Sequence, residues 1–177
     1  MIPGRGPVEI ILGVAAPPLT SLAAAALHVG PAPERILEID CRDGEGALFL
    51  AREFPRARVR GVDPSERMIR ETTARVGLDP EGRIAFKVGD AAALPYPDDF
   101  FDLVAQIDTR PSATEISRVL RPGGHLIVAT RRNPPRTFFG MRPQGARRRL
   151  ERHGIDPVHA GEAGDGSFLV GRLRGGD

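Results

Sequence analysis

The sequence predicts an α/β fold in which one mostly parallel sheet carries helices on both faces and closes with a C-terminal antiparallel hairpin. Three observations predict it. From Arg35 onward, short apolar runs alternate with helical patterns, as in a chain of strand–crossover–strand units. Acids stand in or just after the first three runs, at Glu38, Asp63 and Asp90, which marks one end of the sheet. The last two strand-like runs are separated only by a Gly-rich turn, Gly161 to Gly166, too short for a parallel crossover.

Before the first strand, Thr20 to Val29 reads as a short helix covering the sheet. The stretch from Ile10 to Gly30 has no charged side chain, but Pro17 and Pro18 interrupt it and Glu9 precedes it, so neither a membrane span nor a targeting segment is expected. The first strand is Arg35 to Ile39, followed by a Gly-containing loop and a helix over Ala47 to Phe54. The second strand, Arg58 to Val62, ends at Asp63, where Asp63, Pro64 and Glu66 offer a cap, a first-turn proline and a capping-box partner. The next helix sends Met68, Ile69, Thr72 and Val76 toward the sheet at helical spacing.

Ile84 to Val88 is the third strand, closed by Gly89 and Asp90, and Phe101 to Ile107 is the fourth. A short helix over Ala113 to Leu120 stops before Pro122, Gly123 and Gly124, which turn the chain into a fifth strand, His125 to Thr130. Gln144 to His153 is helical and Gly154 ends it. Pro157 to Ala160 and Ser167 to Leu173 form the hairpin and bring the strand count to seven.

With 177 residues, 41% hydrophobic and 27% charged, the chain is expected to form a single domain over 35–177, after an N-terminal extension and cap helix over 1–34. A formal charge of +2 is far from the field of a dedicated nucleic-acid binder. The arginines are uneven nevertheless: Arg131, Arg132, Arg136, Arg142, Arg147, Arg148, Arg149 and Arg152 crowd one segment, most simply a solvated face. One cysteine, Cys41, excludes an internal disulfide and agrees with a cytoplasmic setting. No metal-ligand spacing is present.

Ligands of open α/β sheets lie beyond the carboxyl ends of the strands, where the strand order switches. A ligand spanning that cleft would meet Glu38, Asp63 and Asp90. Asp63 suits two ribose hydroxyls, and Asp90 suits an exocyclic amine. Each acid is equally well read as a cap or turn residue; their succession at three strand ends favours the ligand.

Five segments in order resemble the class I methyltransferases, within them the ubiquinone and menaquinone biosynthesis group. They are Arg-Ile-Leu-Glu-Ile-Asp-Cys-Arg-Asp-Gly from Arg35, Gly-Val-Asp-Pro-Ser from Gly61, Gly-Asp-Ala-Ala-Ala-Leu-Pro-Tyr from Gly89, Phe-Asp-Leu-Val from Phe101, and Arg-Val-Leu-Arg-Pro-Gly-Gly from Arg118. The resemblance implies a Rossmann-like seven-stranded domain that binds S-adenosylmethionine, releases S-adenosylhomocysteine and methylates a small-molecule acceptor. It places Glu38, Asp40, Arg42 and Gly44 in the cofactor loop, Asp63 with Pro64 at the ribose, Asp90 with Ala91 at the adenine, and Gln106 near the reacting methyl. Tyr96 and Phe100 either flank the cofactor or belong to the core.

The family loop runs Glu-x-Gly-x-Gly-x-Gly, and here Asp40 and Arg42 replace the first two glycines. Glycine permits positive φ and close approach; Asp tolerates positive φ, whereas Arg is expected not to. Asp40 would attract the cofactor ammonium and Arg42 its carboxylate, or the two side chains would satisfy one another and close the pocket. The stretch from Asp108 to Ser117 is shorter than the family's substrate-lining loop, and Asp108 is the nearest candidate base or orienter. The alternative expectation is therefore a catalytically inactive methyltransferase-like module. A homodimer or protein partner completing the pocket is a further expectation. Nicotinamide chemistry lacks its Gly-x-Gly-x-x-Gly loop.

Overall fold

A computed structural model describes residues 19–77, 81–132 and 143–175. Residues 1–18 of the expected N-terminal extension, together with Arg136 and Arg142, lie outside the described residues. The element order is α1 (Thr20–Ala26), β1 (Arg35–Ile39), α2 (Glu45–Glu53), β2 (Arg58–Asp63), α3 (Glu66–Val76), β3 (Ile84–Val88), β4 (Phe101–Ile107), α4 (Ala113–Val119), β5 (Leu120–Ala129), α5 (Pro143–Arg152), β6 (Ile155–Ala163) and β7 (Gly166–Leu173). The seven strands lie in the order β3-β2-β1-β4-β5-β7-β6. The first five pair in parallel, and β7 pairs antiparallel with both β5 and β6.

Strands buried on both faces need apolar side chains in both directions. All seven positions of β4 are buried. The pleat divides them: Leu103, Ala105 and Ile107 join Leu22 and Ala25 of α1 and Ala47 and Leu50 of α2, whereas Phe101 and Val104 join Ile116 of α4 and Leu150 of α5. Phe101 and Leu103 would share a face in a regular strand. Their separation coincides with a break in the ladder, because Phe101 pairs with Leu120 but Leu103 pairs with His125. The residues 121–124 bulge outward there, at the Pro-Gly-Gly the sequence marks as a turn, and Gly123 takes φ +79°. Asp102 braces this corner, accepting from the Glu34 and Arg35 amides at 2.7 and 2.8 Å and pairing with Arg121 at 2.7 Å.

Three expected details differ. The cap of α3 is Ser65, whose hydroxyl accepts from the Met68 amide at 3.3 Å; Asp63 pairs with Val88 as the last residue of β2, and its Oδ1 accepts from the Ser65 amide instead. The terminal hairpin turns on Gly164 and Asp165, with Ala163 opposite Gly166, so β6 and β7 extend into the stretch expected as loop. α3 buries Ile69 and Thr72, while Met68 and Val76 are half-buried at its flanks.

Candidate functional site at the carboxyl ends of the strands

The crossover after β1 leads through α2 to β2 on one side, and β4 pairs on the other, so the strand order switches at β1. The chain leaves β1 through Asp40, Cys41, Arg42, Asp43 and Gly44, and φ is +57° at Asp40, +47° at Arg42 and +74° at Gly44. Left-handed backbone is disfavoured for arginine by roughly 1–2 kcal/mol, so other contacts must impose it. They are visible. The Arg42 amide donates to Asp63 Oδ2 at 3.0 Å, its carbonyl accepts from Thr72 Oγ1 at 2.7 Å, and Arg75 of α3 donates to the Asp43 carbonyl. The expectation that Arg42 rejects this conformation is corrected on that ground: β2 and α3 clamp both sides of its peptide.

Gly44 keeps its glycine for want of room, since a Cβ there would lie 2.5 Å from Thr72 Cγ2 and 3.0 Å from Phe86 Cζ. The adjacent Cys41 is buried, and burial with nearby carboxylates, Glu38 first, pushes its thiol up, so it packs rather than reacts.

The side chains at the two substituted positions do not pair with each other. Asp40 Oδ2 accepts from Gln106 Nε2 at 2.9 Å, and that amide also donates to the Arg110 carbonyl at 3.3 Å. Arg42 extends to within 3.9 Å of Asp108 Oδ2 and remains 45% exposed, so its charge is available to a ligand. Asp108 takes the amide and Nε of Arg131 at 2.8 and 2.7 Å, and Arg131 also lies 4.0 Å from Glu45 at the start of α2. With both oxygens engaged by Arg131, Asp108 is placed to orient Arg131 and Arg42.

Glu38 lies beneath the loop, 3% exposed, and burial pushes its carboxyl up to about 8, against a hydrogen bond from the Ala47 backbone. Asp43 raises it further, while Arg131 and Arg42 lower it. At neutral pH it is mostly a neutral acid, which suits a site without a counter-ion in contact.

The structure thus gathers two bonded groups, Asp40 with Gln106 and Arg42 with Asp63 and Asp108, around the loop that ends at Gly44, with Glu38 below it. Asp90 and Ala91 follow the edge strand β3 at the same end; Asp90 is exposed and accepts from the Ala92 amide at 2.8 Å, and Ala91 packs against the core. Pro64 is exposed and makes only the turn into α3. Tyr96 and Phe100 stack beside Phe101, Tyr96 meeting it edge-on at 4.9 Å, and so belong to the core below α4. Arg131, Glu45 and Thr72 are site residues that sequence reasoning passed over. Arg131 stands just beyond β5, the position that singled out the acids, but was absorbed into the arginine-rich segment.

These groups fit a zwitterionic nucleoside ligand. Each Asp63 oxygen accepts one backbone N–H and keeps acceptor capacity for a hydroxyl. Gln106 Oε1 is buried with no partner among the described residues, so an incoming donor would satisfy it. No group of three or more His, Cys, Asp or Glu that could hold a metal occurs among the described residues.

Comparison with known proteins identifies the family. Residues 36–124 match the methyltransferase domain family. The chain is 36% identical over 126 residues to a demethylmenaquinone methyltransferase of Thermus thermophilus, covering 67% of this chain and 56% of that protein. It is also 36% identical over 120 residues to a malonyl-[acyl-carrier protein] O-methyltransferase of Methylococcus capsulatus, covering 62% and 42%. The chain therefore spans about half the length of the curated relatives it matches. Among solved structures, the fold resembles a Haloferax volcanii complex of the Trm112 methyltransferase activator with a methyltransferase described as putative (TM-score 0.77, 16% identity, 90% of each chain). It also resembles a protein of Pyrococcus horikoshii (TM-score 0.71, 21% identity, 88% of each chain).

Proposed function

We infer function from family: this chain belongs to the class I S-adenosylmethionine-dependent methyltransferases, and we propose that it transfers the methyl group of that cofactor to a small-molecule acceptor. The observation that carries the reading is the loop itself. Asp40, Arg42 and Gly44 all take the left-handed backbone that glycines would supply, and the Arg42 amide is bonded to Asp63, so the two replacements leave a loop of the kind that glycines would form.

In this reading Asp63, assisted by Pro64 in the turn, accepts the ribose hydroxyls, and Asp90 with Ala91 meets the adenine edge. Asp40 faces the ammonium, with Gln106 fixing its carboxylate, and Arg42 faces the carboxylate of the amino-acid tail. Opposite charges at the two ends of that tail select one orientation. Gly44 closes the loop into α2, and Glu38 lies below it, bonded to the Ala47 backbone. When bound, S-adenosylmethionine supplies a methyl carbon already made electrophilic by its sulfonium. The chain's task is then alignment and exclusion of water, which calls for fixed side chains rather than a strong base. Asp108 contributes as the orienter of Arg131 and Arg42.

The relatives named above act on a demethylmenaquinone and on a malonyl group carried by a protein; a small organic acceptor is the class we extend to this chain. Calorimetric titration with S-adenosylmethionine and S-adenosylhomocysteine tests the cofactor reading. Micromolar binding is expected, weakened by about tenfold or more in Asp63→Asn, because a charge-assisted hydrogen bond is worth roughly 1.5–3 kcal/mol. Folded protein that takes up neither compound would sink the reading.

A further inference from the structure

We propose that the cleft between α1 and α2 seats the methyl acceptor, and that this acceptor is an elongated amphiphile bearing an anionic group about 10 Å from the methylated atom, seven residues of helical rise. The proposal rests on the cofactor reading above. The cleft has a volume of about 700 Å³, within the range of small-molecule sites, and its walls are mainly apolar, with Ala23 on α1 facing Leu48 and Phe49 on α2. It lies beside the strand ends rather than over them.

Its geometry gives the ligand a direction. Glu45, Leu48, Phe49 and Arg52 line it at intervals of three, four and seven residues along α2, so they form one stripe on a single face of the helix. The Glu45 end belongs to the site already described: α2 begins directly after the loop, and Glu45 lies 4.0 Å from Arg131, which holds Asp108 at the end of β4. A methyl acceptor therefore reacts at that end, and its apolar body lies over Leu48 and Phe49.

At the far end Arg52 is exposed and makes no hydrogen bond or ion pair among the described residues. Arg75, which holds the Asp43 carbonyl, is a second cation in the wall but stands at the loop end, where the one acid, Glu45, already faces Arg131. Away from the reacting end the single charge lining the cleft is the cation of Arg52. An anion there gains a partner, whereas a cation meets repulsion in a partly desolvated groove.

The test titrates the full chain with dodecanoate and with dodecyltrimethylammonium, below their micelle concentrations, with and without S-adenosylhomocysteine. The carboxylate is expected to bind at least tenfold more tightly. Ala23→Trp fills the groove and abolishes binding of both probes; Arg52→Glu, at an exposed position, reverses their order while leaving S-adenosylhomocysteine binding unchanged. Equal affinity for the two headgroups, or full affinity in Ala23→Trp, overturns the proposal. A chain that discriminates the probes but ignores S-adenosylhomocysteine would keep the amphiphile site and overturn its assignment to methyl transfer.

Discussion

Replacing Glu38 with Gln tests whether the floor of the site is a neutral acid. The carboxyl is buried among Gly46, Ala47 and Ile107, and burial raises it from 4.5 to about 8. A raised native value means that the folded protein holds a proton the unfolded chain has released, so stability falls as pH climbs from 4.5 to about 8 and levels off above. The full difference is 3.5 units, about 5 kcal/mol at about 1.4 kcal/mol per unit. Between about pH 5.5 and pH 8.5 the same two values give a loss of about 3 kcal/mol. Gln has the same shape, accepts from the Ala47 amide and never ionises. Urea unfolding followed by circular dichroism, since the chain has no Trp, should show the gap between wild type and Glu38→Gln shifting by about 3 kcal/mol in favour of the variant over that range. Parallel pH profiles would refute the argument. So would a shift of opposite sign, which would mean that Glu38 is ionised and paired in the native state.

Gly46→Ala should destabilise the fold by about 2 kcal/mol despite the better helix propensity of Ala, because its Cβ would sit 1.9 Å from Glu38 Oε1 and 2.8 Å from Ile107 Cδ1; thermal unfolding measures it, and an unchanged midpoint contradicts the crowding. Thr72→Val keeps the volume and removes the hydrogen bond to the Arg42 carbonyl, so about 1 kcal/mol of stability and part of the S-adenosylhomocysteine affinity should go together. Lost stability with intact affinity would separate the loop's conformation from its function.

The bounds of β1 and β4 are legible in the chain because buried parallel strands are written as continuous apolar runs, a local pattern, whereas those of the edge strand β3, which buries none of its residues, are marked by the Gly89 that closes it. The acids at the strand ends and the five ordered segments likewise point to the family without any coordinates. Other roles depend on partners far along the chain. The sequence offers Asp63 as a helix cap, but β3 draws it into β2 and the cap passes to Ser65. Arg118 reads as part of a family signature, whereas its guanidinium joins Glu115 and Asp98 and the carbonyls of Leu94 and Tyr96, tying the loop before β4 to α4.

The cofactor loop shows the same division most clearly. Spacing determines that a loop with one glycine follows β1, and the resemblance to the family marks Asp40 and Arg42 as standing where glycines are usual. Whether those residues ruin the loop is a tertiary question, since intrinsic backbone preference is worth only about 1–2 kcal/mol per residue and is outweighed by a few well-placed hydrogen bonds. Asp63, 21 residues later, and Thr72, 30 residues later, supply them. The sequence by itself determined the succession of strands along the chain and the chemistry available at their ends; tertiary structure decided their order in the sheet, the backbone path of the loop, the raised carboxyl of Glu38 and the pairing of Arg131 with Asp108, because each depends on groups brought together only when the sheet closes.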